Sequence, residues 1–462
     1  MIRLYDSLTG ELRELAQREP GRVSMYVCGP TVDNLPHLGH GRFSLVWDVA
    51  RRWMSFRGLD VHYVSNITDI DDKIIARAAR EGVTTSDVVA RYEAEWWAAM
   101  TALGVKRPDD TPHATQFVAD MVGVIEELLE KDVAYQTSDG VYFDVSRVAD
   151  YGALAGQPLD SLRAGARVEE NTQKRSALDF VLWKNAKPGE PSWPAPFGEG
   201  RPGWHTECVV MSLDLLGEGF DLHCGGLDLK FPHHENERAQ AVALGRDFAH
   251  HWGHNGWVMV GDEKMSKSLG NFTSLSELTA TTDPRAYRLL VLRSHYRSPI
   301  EVSTATILDA ERALERLDAA ARRFGLCGLA SEDLTRESDF AFSGEGAELV
   351  SRAGALIDED LNTPGALALV FEALSRANTL ADRGEMNQAR DVALGLHALC
   401  GALGLALEGG EATVDAESAV LVASRDEARA RRDWKEADRL RDELVQRGWT
   451  VEDTVAGTSI RP

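Results

Sequence analysis

A strand, a helix and a second strand follow one another near the start of the chain, and this order limits the fold more than any other feature. Val23–Val27 is a short run of strand-favouring residues, and it is followed by turn-forming residues at 28–30. Val61–Ile67 is the next such run. Between them, apolar residues recur at helical spacing at Leu45, Val49, Trp53 and Phe56. Strands joined by a helix of this length form a right-handed parallel crossover, so we expect a parallel sheet.

A second crossover is predicted in the middle of the chain. Gly219–His223 is predicted as a strand and Gly225-Gly226 as a turn, and a helix is predicted from about Pro232 to Gly245. The two crossovers indicate one doubly wound nucleotide-binding domain that an insertion interrupts. Within this insertion, five of the sixteen prolines lie in 188–202, so that stretch is predicted to be a loop.

The last third of the chain has a different pattern. From about Thr304 the residues are mainly Ala, Leu, Glu and Arg with helical periodicity, which predicts an α-helical bundle. Glu417–Gly448 is predicted to be a charged pair of helices broken near 432–434, and a short tail follows.

Composition narrows the class of protein. The chain has 462 residues and a net charge of −23, so any surface for nucleic acid has to be local. Its five cysteines are too few and too widely spaced for a disulfide framework. The sequence has no signal-like start and no apolar run of about 18 residues, so we expect a cytoplasmic protein that makes no contact with a membrane.

Two short motifs are typical of sites that bind phosphate groups. His37-Leu38-Gly39-His40 lies in the turn of the first crossover, where helix N–H groups and imidazoles can hold phosphate oxygens. Lys264-Met265-Ser266-Lys267-Ser268 lies far along the chain, and its two ammonium groups can offset the charge of a leaving pyrophosphate. A turn with exposed histidines and a basic surface loop are the alternatives for each motif alone. Together the two resemble the signature pair of class I aminoacyl-tRNA synthetases.

The sequence also contains half of a metal site. His233 and Glu237 are four residues apart near a predicted helix start, so both emerge on one face. Cys28 and Cys208 could add two thiolates and complete a Cys₂HisGlu zinc site. Cys224 is a competing ligand, and for each cysteine a buried, unreactive thiol is the alternative.

Over nearly its whole length the chain resembles the cysteinyl-tRNA synthetases, one family of that class. The stretches that carry the resemblance are MYVCGPTV at 25–32, NITDIDDKII at 66–75, PGWHTEC at 202–208, CGGLDLKFPHHENE at 224–237 and GDEKMSKSLGN at 261–271. The resemblance implies a Rossmann-like core with its first half at 1–112 and its second half at 201–258, separated by an insertion at 113–200. It further implies a stem-contact region at 259–305, a helical bundle at 306–405 and an anticodon-binding subdomain at 406–462.

The resemblance also implies residue roles. It places the zinc ligands at Cys28, Cys208, His233 and Glu237, and catalytic groups at His37, His40, Lys264 and Lys267. It places ATP, with Mg²⁺, at His37, Gly39, His40, Gly226, Asp228 and Lys267, and it places cysteine at Gly29, Thr68 and Trp204. A plainer interpretation stays open for some of these residues, since Thr68 could only cap the helix that follows.

The charged helical pair is the predicted contact with tRNA. Residues 425–441 contain seven cations and five anions, with Trp434 available for stacking on a base. The resemblance assigns Arg429, Asp438 and Asp453 to reading the anticodon. A solvated amphipathic helix with internal ion pairs is the alternative.

The predicted activity is cysteine–tRNA ligation by a monomer that contains one zinc ion. L-cysteine and ATP would give cysteinyl-adenylate and pyrophosphate, and cysteine would then pass to the 3′-terminal adenosine of tRNA(Cys). An apolar pocket separates near-isosteres only about 10–200-fold, whereas zinc would take the substrate thiolate as a ligand that serine cannot imitate. One alternative is a ligase of the same family that transfers cysteine to an amino sugar, which would have little need of the C-terminal segment. A noncatalytic RNA-binding relative is another.

Overall fold

The computed structural model describes residues 1–156, 173–259, 274–326, 336–407, 416–454 and 457–461. The chain forms two compact units. The first comprises Met1–Pro284, Ser294–Thr304 and Asp358–Asn362, and the second comprises Arg285–Arg293, Ala305–Ile357 and Thr363–Pro462.

The centre of the first unit is a four-stranded parallel sheet. Its strands, in spatial order, are Trp252–Asn255, Leu222–Gly226, Arg22–Val27 and Asp60–Ser65. Parallel sheets are buried on both faces. All five residues of Val23–Val27 are therefore buried, although their side chains alternate between the two faces. The helices that follow its strands are Leu38–Phe56, Asp72–Glu81 and Glu235–Leu244.

The order of the strands determines where a ligand can bind. From Arg22–Val27 the chain crosses over to Asp60–Ser65 on one side, and from Leu222–Gly226 it crosses to Trp252–Asn255 on the other. The direction of winding therefore reverses between Arg22–Val27 and Leu222–Gly226, which are directly paired. A crevice opens at the carboxyl ends of strands at such a point, and Cys28 and Gly226 lie at these two ends.

The insertion forms an antiparallel sheet of its own, with strands Ala134–Gln136, Gly140–Phe143, Phe180–Asn185 and Gly200–Pro202 in that order.

Two local predictions, one in each sheet, are wrong. Pro202 ends a short edge strand instead of a loop, a position where a missing N–H costs no ladder bond. Gly225 and Gly226 end a strand that pairs with Trp252–Asn255, so the predicted strand lies three residues too early and the glycines are not a turn.

The first unit contains further short elements around these two sheets. Its other helices are Thr85–Ala102, Val118–Glu130, Trp204–Leu216 and Leu275–Thr281, with 3₁₀ turns at Ala114–Phe117 and Val145–Arg147 and a π-helical turn at Lys230–His234. Its other strands are Arg3–Asp6, Glu11–Glu14, Val258–Met259 and Ile300–Glu301.

The second unit is mainly helical. Its helices are Pro284–Leu292, Thr304–Arg323, Gly344–Asp358, Thr363–Asp382, Met386–Ala402, Ala416–Ala430 and Trp434–Gln446, with a turn at Glu337–Asp339. The tail is a β-hairpin of Thr450–Thr454 and Gly457–Arg461, an element that the sequence did not predict. Leu444, Val451 and Ile460 bury their side chains together and so attach the hairpin to the preceding helix. The predicted fold class, a parallel α/β core followed by helices, is confirmed.

Candidate active site and metal cluster

A cleft of about 650 Å³ opens at the carboxyl ends of the parallel strands, where the winding reverses. Many of the residues singled out from the sequence line it, namely Cys28, Gly29, His37, Gly39, His40, Trp204, Gly226 and Asp228. The topology alone places these residues together, because they come from the ends of different strands and the starts of different helices.

His37 and His40 form a reciprocal pair at the start of helix Leu38–Phe56. The backbone N–H of His40 donates to Nδ1 of His37, and that of His37 donates to Nδ1 of His40, both at 3.2 Å. Their rings stack with centroids 3.6 Å apart. Because both Nδ1 atoms accept, the neutral rings carry their protons on Nε2, which leaves two N–H donors for a ligand.

The surroundings of the histidine pair disfavour its charged form. Burial, together with the charges of His37 and Lys73, lowers the pKa of His40 to about 3. Burial also lowers the pKa of His37. We therefore expect the positive charge for phosphate groups to come from lysines. Lys264 and Lys267 lie in 260–273, outside the described residues, whereas Lys73 lines the cleft.

Two glycines let a ligand approach the backbone. A Cβ atom on Gly39 would lie 3.0 Å from the His37 ring, and one on Gly226 would lie 2.4 Å from Oδ1 of Asp228. A side chain at Gly226 would displace the carboxylate of Asp228, whereas one at Gly39 would require the His37 ring to move by a few tenths of an ångström.

Beside the cleft, Cys28, Cys208, His233 and Glu237 form a buried cluster whose ligand atoms all lie within 4.8 Å of one another. Cys28 Sγ is 3.6 Å from Cys208 Sγ and 3.6 Å from Glu237 Oε1. His233 Nε2 is 3.5 Å from Cys208 Sγ and 3.0 Å from Glu237 Oε1. Four ligands around a tetrahedral zinc ion would be about 3.3–3.8 Å apart, so this donor set nearly has the spacing of such a site already.

Without a cation, burial keeps this cluster in its neutral forms. It raises the pKa of the Cys28 thiol and of the Glu237 carboxyl, and it lowers that of the His233 imidazole. A divalent cation would favour the ionised forms of the cysteines and of Glu237 instead, because it stabilises thiolate and carboxylate directly. The cluster therefore fits a soft divalent ion.

Three histidines that the sequence analysis missed lie around the cluster. His223 Nε2 is 2.7 Å from Glu237 Oε2, and Nδ1 of His205 is 3.0 Å from Nδ1 of His233. His223 and His234 also form an alternative ligand group with Cys28 and Glu237. The available signal was strand alternation, since neighbours in a strand face opposite sides and Cys224 therefore faces away from the side that His223 occupies. Cys224 is absent from both ligand groups found among the described residues.

Of the three residues predicted to bind cysteine, Gly29 and Trp204 line the cleft, whereas Thr68 lies against Asn66. Trp204 lines the cleft and stacks on His233. A Cβ atom on Gly29 would lie 1.7 Å from the carbonyl oxygen of Asn66, so only glycine fits there. Thr68 is almost fully buried, and its hydroxyl donates to Glu207.

Comparison with known families is consistent with this geometry. Residues 14–312 match the class I (C) tRNA synthetase catalytic domain, 354–408 match the DALR domain, and 412–461 match the cysteinyl-tRNA ligase anticodon binding domain. The chain belongs to the cysteine–tRNA ligase family. The cysteine–tRNA ligase of Alkalilimnicola ehrlichii is 46% identical, and that of Laribacter hongkongensis is 44% identical, with full coverage of both chains in each case.

Solved structures agree on the fold of this cysteine–tRNA ligase family member. Methionyl-tRNA synthetase from Mycobacterium tuberculosis, in complex with methionyl-adenylate, superposes with a TM-score of 0.56. At 17% sequence identity it covers 83% of this chain, and the match covers 89% of that structure. The predicted class I fold is confirmed. The amino-sugar ligase alternative is not supported, because the relatives are cysteine–tRNA ligases and the anticodon domain is matched.

Of the predicted anticodon residues of this cysteine–tRNA ligase family member, Arg429 and Asp453 are in contact, and no contact joins Asp438 to either of them among the hydrogen bonds and ion pairs described. Oδ1 of Asp453, on the hairpin, accepts hydrogen bonds from Arg425 at 2.8 Å and from Arg429. Asp438 is exposed on helix Trp434–Gln446, and Trp434 is exposed at the start of that helix. Several cations of this region are paired internally, as the alternative of a solvated helix requires; Arg439, for example, contacts Glu436 and Glu443.

In the part of the chain that the structure describes, no helix is both long enough and apolar enough to cross a membrane.

Proposed function

We propose that this chain activates L-cysteine with ATP and transfers it to the 3′-terminal adenosine of tRNA(Cys). One observation carries most weight. Cys28 belongs both to the wall of the histidine cleft and to the buried Cys₂HisGlu cluster. A ligand in the cleft can therefore touch a phosphate-binding turn and a thiophilic metal site at once, which is what selecting a thiol amino acid and activating it require together.

One zinc ion per chain is part of this proposal, held by Cys28, Cys208, His233 and Glu237. When bound, zinc would accept the substrate thiolate as a further ligand, which serine cannot supply. The chain's own contribution is to hold the four donors in place. His223 would help to hold one of these donors, because its ring contacts the second carboxylate oxygen of Glu237.

In the activation step, the cysteine carboxylate would attack the α-phosphorus of Mg²⁺-bound ATP and expel pyrophosphate. Gly29, Thr68 and Trp204 would hold the amino acid, while Gly226 and Asp228 would hold the adenosine. His37 and His40 would donate Nε2–H bonds to phosphate oxygens without adding charge, and Gly39 gives the phosphates room beside them. Lys264 and Lys267 would offset the charge that develops on the leaving pyrophosphate.

The second step needs tRNA, which we propose is recognised through Arg429, Asp438 and Asp453. We further propose that the enzyme acts as a monomer in the cytoplasm. The described cysteines are free thiols, which favours a reducing compartment.

The test is a pair of assays on the zinc-loaded protein. Cysteine should drive the exchange of labelled pyrophosphate into ATP, serine should not, and cysteine should appear on tRNA(Cys). Exchange that is equal with cysteine and serine would contradict the proposed role of the metal cluster. Exchange without charging of tRNA would contradict the second step.

A further inference from the structure

Glu207 is a buried acid to which none of the steps above assigns a role. It lies on helix Trp204–Leu216, directly before Cys208, and it is 0% exposed. A carboxyl group is rarely placed in the interior unless its oxygens are paired, because an unpaired buried polar group costs about 1–3 kcal/mol. The contacts of Glu207 therefore indicate what it does.

Only one oxygen of Glu207 is satisfied. Oε2 accepts a hydrogen bond from Oγ1 of Thr68 at 2.8 Å. Oε1 is buried and has no hydrogen-bond partner among the described residues. The carboxyl group thus fixes the direction of the Thr68 hydroxyl.

The effect of Glu207 extends from Thr68 to the wall of the cleft. Asn66 Nδ2 donates to Thr68 Oγ1 at 3.3 Å, and Asn66 Oδ1 accepts from the backbone N–H of Gly29 at 2.9 Å. Gly29 lines the cleft. Three buried side chains therefore form one hydrogen-bonded chain that ends at a residue in contact with the ligand space.

The donors and acceptors along this chain decide what it can receive. A threonine hydroxyl has one proton, and that proton is used on Glu207, so toward any other group Thr68 can only accept. This end of the pocket therefore suits a hydrogen-bond donor such as an ammonium group and is unsuited to a carboxylate, which can only accept.

We propose that Glu207 is a positioning residue that, through Thr68 and Asn66, prepares the pocket wall for the α-ammonium group of the substrate. This inference rests on the proposed function, because it takes cysteine as the ligand. It assigns the two ends of the substrate to different selectors. The metal cluster selects the thiol, and the Glu207 network selects the primary amine.

Two fragments of cysteine separate these selectors. Cysteamine keeps the thiol and the amine, whereas 3-mercaptopropionate keeps the thiol and the carboxylate. Each fragment is measured as a competitive inhibitor of cysteine-dependent pyrophosphate exchange by the zinc-loaded protein. Glu207→Met keeps the volume and removes the acceptor. Glu207→Gln keeps an acceptor oxygen for Thr68, and Asp214→Asn, at an exposed position of the same helix, is the matched control.

Glu207→Met should weaken cysteamine inhibition about 10-fold or more, as for the loss of a hydrogen bond to a charged group, and should change 3-mercaptopropionate inhibition less than about 2-fold. Glu207→Gln should stay within about 3-fold of the parent for both fragments, since Thr68 keeps its acceptor. Asp214→Asn should match the parent. The zinc content should be one ion per chain in every variant.

Three results would overturn the proposal. Equal weakening of both fragments by Glu207→Met would make Glu207 a general support of the fold. Loss of zinc from both Glu207 variants would make it a support of the metal cluster. Unchanged cysteamine inhibition in Glu207→Met would leave it without a role in the pocket. An absence of cysteine-dependent exchange in the parent protein is a separate failure, that of the proposed function.

Discussion

The indole ring of Trp204 stacks on the imidazole of His233, with ring centroids 4.0 Å apart and ring planes 21° from parallel. Trp204 also lines the cleft, whereas His233 belongs to the metal cluster. One aromatic contact therefore joins the wall of the substrate pocket to a proposed zinc ligand, and a change in one should be felt by the other.

Removal of this stack should weaken cysteine binding. An aromatic pair contributes about 0.5–1.5 kcal/mol beyond the area it buries, so Trp204→Ala should raise the KM for cysteine at least about 2-fold in pyrophosphate exchange. The KM for ATP should change less than the KM for cysteine, because the histidine pair is untouched. Trp97→Ala is the control, since the Trp97 ring packs on Arg107 instead of the cleft residues. Equal changes in both KM values would count against a specific role for the contact.

Metal content distinguishes the two candidate cysteines. Cys208 Sγ lies 3.5 Å from His233 Nε2, whereas Cys224 belongs to neither ligand group. Cys208→Ser should therefore lose zinc and cysteine activation together, while Cys224→Ser should keep one zinc ion per chain. Elemental analysis of the purified variants gives the answer. A Cys208→Ser protein with full zinc, beside a Cys224→Ser protein without it, would show that the ligand assignment is wrong.

The sequence predicted the parallel core well because hydrophobic runs, turn formers and helical spacing are local signals. The two crossovers were found from such signals alone, whereas the set of four proposed ligands depended on a family resemblance. Spacing could pair only His233 with Glu237, which are one helical turn apart. The distances from both to Cys28 are set by the order of strands in the sheet, which no local pattern encodes.

The elements that the sequence missed depend on contacts between distant residues. The C-terminal hairpin is stabilised by Val451 and Ile460 packing on Leu444, a contact that has no local periodicity. In the sequence, Glu207 is one residue of the stretch at 202–208, whereas its burial against Thr68 joins two segments that are far apart in the chain. Pairings of this kind become visible only when the topology is known.

The second unit should become less stable in mild acid because of His397. This residue is 3% exposed, and neither of its ring nitrogens has a hydrogen-bond partner among the described residues. Burial lowers the pKa of His397 below its ordinary value of 6.5. As the pH falls, the histidine of the unfolded chain therefore takes up a proton before the buried one does. The free energy of unfolding is highest above about pH 6.5 and decreases as the pH falls below that value.

The size of this effect can be bounded. At pH 5.5 an ordinary histidine in the unfolded chain lowers the free energy of unfolding by at most about 1.4 kcal/mol. His397→Leu should remove up to this amount from the difference in unfolding free energy between pH 7.5 and pH 5.5, measured by urea denaturation. Other buried histidines contribute equally to the parent and the variant and therefore cancel. Identical pH dependence in the two proteins would contradict the prediction.

The two carboxylates that we propose read the anticodon, Asp453 and Asp438, should differ in their contribution to the stability of the fold. Asp453 accepts from Arg425, whose side chain is 5% exposed, whereas Asp453 itself is 53% exposed. Asp453→Ala would leave the buried guanidinium with one partner fewer. A fully buried pair loses about 3–5 kcal/mol on such a change, and the exposure of Asp453 reduces this to about 1–2 kcal/mol. Asp438→Ala should change stability by less than about 0.5 kcal/mol, as is usual for an exposed surface position.

Both variants should nevertheless charge tRNA more slowly if both carboxylates accept from base amines. The loss of one base contact costs about 1–3 kcal/mol, which is about 5–150-fold in charging efficiency. Pyrophosphate exchange, which needs no tRNA, should stay at the parent rate in both. Charging assays and thermal melting together separate the roles. If Asp453→Ala lost stability but charged tRNA normally, Asp453 would serve only to attach the hairpin, and base reading in this segment would have to come from Arg429 and Asp438.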